Sequence, residues 1–222
     1  MRRLVGGLVM VLGLALVPAS ASAIIGGRTA VQHSWIVDLG HSGNGHGCGG
    51  GLIAPRWIVT AGHCLSMVQK GSPVRIGSND RIRGGAMGVV DSTYQPATGD
   101  IGLIKLVKPV HQRPLRVGPM PTSGPIRLLG WGMDAQEQPA SPRLLKQLDT
   151  TVLGQCGGAD EICVKVSVEG TTCNGDSGTP ATVGNLVVAV TSRGPIGDCG
   201  AEGWTVYTGI APHMDWIKQT MG

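Results

Sequence analysis

Three short segments of the chain carry side chains suited to acyl-transfer chemistry. The first is Trp57-Ile58-Val59-Thr60-Ala61-Gly62-His63-Cys64. Its apolar half predicts a strand that anchors His63, and Cys64 offers a covalent staple beside it; a general base needs such rigid support. The second is Gly99-Asp100-Ile101-Gly102-Leu103, where a carboxylate opens an apolar strand. A desolvated aspartate there can be aimed at an imidazole N–H. The third is Cys173-Asn174-Gly175-Asp176-Ser177-Gly178, followed by Thr179-Pro180. Glycines on both sides of a serine permit a sharp turn that exposes its hydroxyl and aligns backbone N–H groups for a developing oxyanion. Each segment alone has an ordinary reading: a surface histidine, a turn aspartate, a plain Gly-Asp-Ser-Gly turn. Their conjunction points to a nucleophilic serine, a histidine base and an orienting carboxylate.

The elements that must position these residues read as strands. The chain has 222 residues with 37 Gly, 14 Pro and no Phe. That length permits one large domain or two small lobes. Gly and Pro follow no three-residue period, which excludes collagen. The net charge of +4 is spread without a basic run, so nucleic acid is not an expected partner. Short β-type runs recur between turn residues: Trp35–Leu39, Leu52–Ile53, Trp57–Thr60, Met87–Val90, Ile101–Val107, Ile126–Leu129, Leu144–Leu148, Ile162–Val166, Leu186–Thr191 and Trp204–Tyr207. Helical spacing is sustained only from Ala211 to Met221, through Met214, Ile217 and Met221. The pattern predicts an all-β chain of two antiparallel barrels or sandwiches and one terminal helix. The join falls in the proline-rich stretch Pro109–Pro125.

Residues 1–23 read as a signal peptide. Arg2 and Arg3 precede an uncharged apolar stretch, Leu4 to Val17, and Ala21-Ser22-Ala23 supplies small residues for cleavage. The apolar stretch is short for a membrane span. Cleavage after Ala23 would expose Ile24; cleavage after Ala21 would leave Ser22-Ala23 in front of it. Export to the extracellular space also suits six cysteines, which fit three disulfides in 15 possible pairings. No cofactor is expected and no metal, because cysteines and histidines never fall at zinc-ligand spacing. His33, His41, His46, His111 and His213 have no motif around them.

At these residues the sequence resembles the chymotrypsin/trypsin-like serine endopeptidases. The matching pieces are Ile24-Ile25-Gly26-Gly27, Thr60-Ala61-Gly62-His63-Cys64, Asp100-Ile101-Gly102-Leu103, Gly130-Trp131-Gly132 and Gly175-Asp176-Ser177-Gly178. Thr191-Ser192-Arg193-Gly194 and the ending Tyr207-Thr208 to Trp216-Ile217 match as well. The resemblance implies two antiparallel six-stranded β-barrels, at about 24–115 and 116–210, with a short helix at about 211–220. It implies His63, Asp100 and Ser177 as catalytic residues, and the backbone N–H groups of Gly175 and Ser177 as the oxyanion hole. Ser192 would support the aspartate and, as part of the specificity pocket, help position the substrate backbone, and a free Ile24 α-ammonium would pair with Asp176. The implied disulfides are Cys48–Cys64, Cys156–Cys163 and Cys173–Cys199. Economy of loops suggests a compact, secreted, bacterial-type member.

The resemblance places Thr171 at the floor of the primary specificity pocket, where an aspartate would select Arg or Lys. A neutral floor, with Gly194 leaving the mouth open and Thr205 narrowing the interior, implies small or medium uncharged P1 residues. Aromatic P1 residues are the alternative, and Asp198 or Glu202 reaching the pocket would restore basic specificity. Two positions depart from the family pattern. Thr179 replaces a glycine after the serine turn, and Arg193 replaces a hydrophobe in the substrate groove, where its cation would favour acidic or polar side chains or point into water. The expected partners are protein or peptide substrates and proteinaceous protease inhibitors, with no nucleic acid, no membrane after signal cleavage, and a monomeric state. A secreted, non-catalytic protein-binding module of the same fold is the reading from a different class. An α/β-hydrolase is disfavoured by the order His, Asp, Ser.

Overall fold

The computed structural model describes residues 24–40, 46–133, 141–194, 199 and 202–222; the expected signal peptide lies outside them. Six strands close the first barrel. These are β2 (Ile36–Asp38), β3 (Gly49–Ala54), β4 (Trp57–Thr60), β5 (Pro73–Ile76), β6 (Ala86–Tyr94) and β7 (Gly102–Leu106), in the order β2-β3-β4-β7-β6-β5. The second barrel is built from β8 (Gly124–Gly130), β9 (Lys146–Gln155), β10 (Glu161–Val166), β11 (Pro180–Val183), β12 (Leu186–Arg193) and β13 (Gly203–Gly209). Its order is β9-β10-β13-β12-β11-β8, and pairing of β8 with β9 closes the ring. The two-residue β1 (Arg28–Thr29) adds to the outside of β9. All strand pairings in both barrels are antiparallel.

Alternation explains the strands. In β10, Ile162, Val164 and Val166 face inward while Lys165 stays exposed. Each barrel fills its own interior. Val37, Leu52, Ile58, Val74, Ile76 and Ile104 belong to the first core, and Ile126, Leu128, Val152, Ile162, Val164 and Tyr207 to the second. A third cluster, with Val59, Leu103, Val190 and Ile210, receives Ile217 from the terminal helix α1 (Met214–Met221). Burying that side chain contributes roughly 1.5–3 kcal/mol to docking the helix.

Several elements differ from the sequence expectation. Leu144–Leu148 is displaced: the strand is Lys146–Gln155, whose polar residues alternate with inward ones, and Leu144 is exposed. Pro73–Ile76 and Pro180–Val183 form strands although each begins with proline, because a first-position proline costs no interior ladder bond. The expected helix begins with a single 3₁₀ turn, Ala211–His213, before the α-helix proper.

The barrels meet along β3. Gly49, Gly50 and Gly51 are all buried. A Cβ on Gly49 would overlap Thr179 Oγ1, and one on Gly51 would lie 2.5 Å from Leu115 Cδ2 and 2.9 Å from Pro180 Cγ. Only hydrogen at these positions lets the second barrel approach.

Candidate active site

His63 stands on a 3₁₀ turn, Gly62–Met67, that follows β4 directly. The Cys48–Cys64 disulfide ties this turn to the start of β3. Asp100 precedes β7, which pairs with β4, so the two residues are brought together by one antiparallel register. Asp100 Oδ1 accepts the His63 backbone N–H at 2.9 Å. Its Oδ2 accepts His63 Nδ1–H at 2.9 Å and the Ser192 hydroxyl at 2.7 Å. Burial alone would raise the Asp100 carboxyl, but the bonds from His63 and Ser192 outweigh it and bring it down to about 2. An ionised Asp100 fixes the imidazole proton on Nδ1 and leaves Nε2 as the basic nitrogen.

Ser177 lies in a tight turn in which Asp176 N–H donates to the Cys173 carbonyl at 3.0 Å and Thr179 N–H to the Asp176 carbonyl at 3.1 Å. The turn is seated against the first barrel: Gly49 N–H donates to the Ser177 carbonyl at 2.8 Å. Gly178, at φ +73°, would carry a Cβ only 3.0 Å from Ala61 N, so the serine turn rests on the strand end that leads to His63. Among the described residues no hydrogen bond joins Ser177 Oγ to His63; such bonds often tighten only with substrate bound.

A second, buried Asp–His pair supports the same turn. His46 Nε2–H donates to the Gly175 carbonyl at 2.8 Å, and its Nδ1 lies 2.6 Å from Asp38 Oδ1. Trp131 meets the His46 ring edge-on at 5.4 Å. The sequence offered no motif for His46; its contact is with a residue 129 positions away.

Asp176 itself is wholly buried. It accepts Gly132 N–H at 2.7 Å and Cys173 N–H at 2.8 Å. Burial nevertheless pushes its carboxyl up to about 7, against the pull of those two donors and of His46. It has no ion-pair partner among the described residues. Ile24 is also fully buried, in the core of the second barrel, and Ile25 bridges to Thr171.

Thr171 is fully buried and donates to the Thr172 carbonyl at 3.2 Å. Thr172 Oγ1 donates to Thr205 Oγ1 at 3.1 Å, and Thr205 Oγ1 donates to the Arg193 carbonyl at 3.0 Å. Gly194 is exposed, and Cys173–Cys199 braces the neighbouring segment. Asp198 lies outside the described residues, and Glu202 is exposed. Arg193 is exposed to solvent, but its cation is not unpaired. Glu161 takes it in a two-pronged pair at 2.6 and 2.9 Å. The third disulfide, Cys156–Cys163, lies at the β9–β10 turn. Cys48, His63 and Cys64 converge within 4.8 Å, but both sulfurs are spent in the disulfide and cannot act as thiolate ligands.

A profile of the Trypsin family matches residues 24–217. The chain belongs to the trypsin family. Trypsin 5G1 of Aedes aegypti is 30% identical, covering 91% of this chain and 86% of its own length. Kallikrein-12 of Homo sapiens is 30% identical over 96% of both chains. Neutrophil elastase of Mus musculus is 30% identical over 90% of this chain and 83% of its own. The solved structure of neuropsin, a serine protease of mouse brain, superposes with a TM-score of 0.76 at 25% identity, covering 88% of this chain and 99% of that one. This trypsin-family chain is therefore a serine protease, with the acyl-enzyme chemistry of its fold. The bacterial-type expectation is overturned, since these relatives are insect, human and mouse proteins. Short loops record tight turns between strands and carry no mark of source. No helix among the described residues is long and apolar enough to cross a membrane.

Proposed function

We propose that this protease is a secreted endopeptidase that uses Ser177, His63 and Asp100 and cleaves after small or medium uncharged P1 residues. The observation that carries the reading is the convergence of His63 and Ser192 on one oxygen of an ionised Asp100. Ser177 Oγ attacks the scissile carbonyl while His63 Nε2 removes its proton. The same nitrogen returns that proton to the leaving amine, and water then repeats the cycle on the acyl-enzyme. Asp100 stabilises the imidazolium formed in each half. The N–H groups of Gly175 and Ser177 meet the developing oxyanion, each worth roughly 3–4 kcal/mol. Pairing of the Gly175 carbonyl with His46 supports that role by fixing the peptide unit next in line.

The P1 assignment is supported by a neutral, buried Thr171 and by the hydroxyl chain from Thr172 through Thr205 to the Arg193 carbonyl. A basic side chain would find no carboxylate among the described residues of that floor. Relatives named trypsin, kallikrein and elastase match equally well at 30%, so their names do not decide the preference.

Maturation is assigned to cleavage before Ile24. A new α-ammonium there would supply the missing partner of buried Asp176, whose ionised form is otherwise disfavoured. Intact mass of the secreted protein, before and after a fluorophosphonate, tests the scheme. The expected result is an Ile24 start, one adduct on Ser177, and faster cleavage of peptides with Ala or Val at P1 than with Arg or Phe. A correctly folded, Ile24-starting protein that takes no label would refute it.

A further inference from the structure

Asp160 and Glu161 stand side by side where the chain enters β10, and each holds a basic group from a different element. Asp160 Oδ2 accepts His213 Nε2–H at 2.8 Å, just ahead of α1, with the two side chains 23% and 11% exposed. Glu161 holds both prongs of Arg193, from the end of β12, and also accepts Gly158 N–H at 3.0 Å. The Glu161 carboxyl is lowered chiefly by Arg193, against its own desolvation and, least of all, the like charge of Asp100.

Both pairs end on the immediate supports of Asp100. Gly99 precedes the aspartate at φ +87°, and a Cβ there would lie 2.6 Å from both Asp160 Oδ2 and His213 Cε1. The backbone that aims Asp100 therefore rests on the Asp160–His213 pair. On the other side, Arg193 Nη1–H reaches Ser192 Oγ at 3.5 Å, while the Ser192 hydroxyl donates to Asp100 Oδ2 at 2.7 Å. A guanidinium donor at the serine oxygen leaves the hydroxyl proton one favourable direction, toward the carboxylate. A continuous chain of polar contacts results: Glu161, Arg193, Ser192, Asp100, His63.

We propose that Asp160 and Glu161 are positioning residues for Asp100, Asp160 seating Gly99 together with His213 and Glu161 aiming the Ser192 hydroxyl through Arg193. This rests on the catalytic reading of His63, Asp100 and Ser177. Arg193 is then a donor on the carboxylate side of the triad, and the acid that follows Asp160 in sequence is what holds it there.

Asp160→Asn and Glu161→Gln, made in the processed protein, test the proposal, with Asp149→Asn as a control at an exposed ion pair with Arg127 and Arg28. The readouts are the low-field NMR signal of His63 Nδ1–H, kcat and KM on one peptide, the fluorophosphonate labelling rate, and Tm. The proposal expects kcat and labelling to fall about 10-fold in both variants with KM little changed. The His63 signal should broaden or move, the control should behave as wild type, and His213→Gln should keep more activity than His213→Ala. A lower Tm with an unchanged His63 signal and kcat would show that the pairs only tie α1 and β12 to the barrel, overturning the proposal. A change in KM alone would overturn it in favour of a groove contact. A wild-type protein with neither low-field signal nor label would instead refute the catalytic reading beneath it.

Discussion

A single methyl group placed on Gly49 gives the sharpest test of how the two barrels meet. In Gly49→Ala the new Cβ would overlap Thr179 Oγ1 and sit 3.1 Å from Thr179 Cβ. Thr179 is fully buried, and its hydroxyl has no hydrogen-bond partner among the described residues. Its branched side chain has few rotamers in which to retreat. Overpacking of this kind costs about 1–3 kcal/mol. For a chain of this size, 2 kcal/mol corresponds to a fall in Tm of about 4–8 °C. Activity should fall too, because Gly49 N–H holds the Ser177 carbonyl. Thr179→Gly removes both the obstruction and the unpaired hydroxyl, at an added chain-entropy cost of about 0.5–1 kcal/mol. The double variant should therefore recover most of the stability lost by Gly49→Ala alone. Guanidinium and thermal unfolding of the four proteins of this cycle give the coupling energy. Additive losses, within about 0.5 kcal/mol, would refute the contact as the cause.

Three further outcomes follow from the site. Burial raises Asp176 to about 7 from its ordinary 3.8, so the folded, unprocessed chain keeps a proton that the unfolded chain has released. Its stability should fall as pH rises from about 4 to about 7, by on the order of 3–4 kcal/mol, and Asp176→Asn should flatten that slope in denaturation curves; an unaltered slope would count against it. Thr205→Gly breaks the hydroxyl bridge to Thr172 and the Arg193 carbonyl. It should raise kcat/KM for Phe over Ala at P1 by roughly 10-fold or more, read from matched peptides, and an unchanged ratio would remove Thr205 from the specificity account. Asp100→Asn should lower kcat roughly 10⁴-fold, since an amide can hold the imidazole in the wrong tautomer, while a loss under tenfold would deny Asp100 its role.

The architecture was legible because its signals are local. Apolar runs cut by glycine and proline mark most strands, and the spacing of Met214, Ile217 and Met221 marks the helix. The longer strands that escaped notice, Pro73–Ile76 and Pro180–Val183, owe their place to partners on β6 and β12. For the site, the segments around His63, Asp100 and Ser177 announce themselves through residues adjacent in the chain. Asp38, His46, Asp160, Glu161 and His213 do not. Their contacts span up to 129 positions, and nothing beside them in sequence distinguishes them from surface charges. Arg193 was visible as a departure, but its partner Glu161, 32 residues earlier, was not.

The bond from His46 to the Gly175 carbonyl also bears on building hybrids of this protease with a relative. Asp38, His46 and Gly49 come from the amino-terminal half, whereas Gly175, Ser177 and Thr179 come from the carboxy-terminal half. A chimaera joined in the Pro109–Pro125 connection would pair one parent's glycine run with the other parent's residue 179. It would also offer one parent's buried imidazole to the other's Gly175 carbonyl. Compatible halves must therefore be exchanged as matched sets across that boundary, with His46 travelling with Gly175 and Gly49 with Thr179.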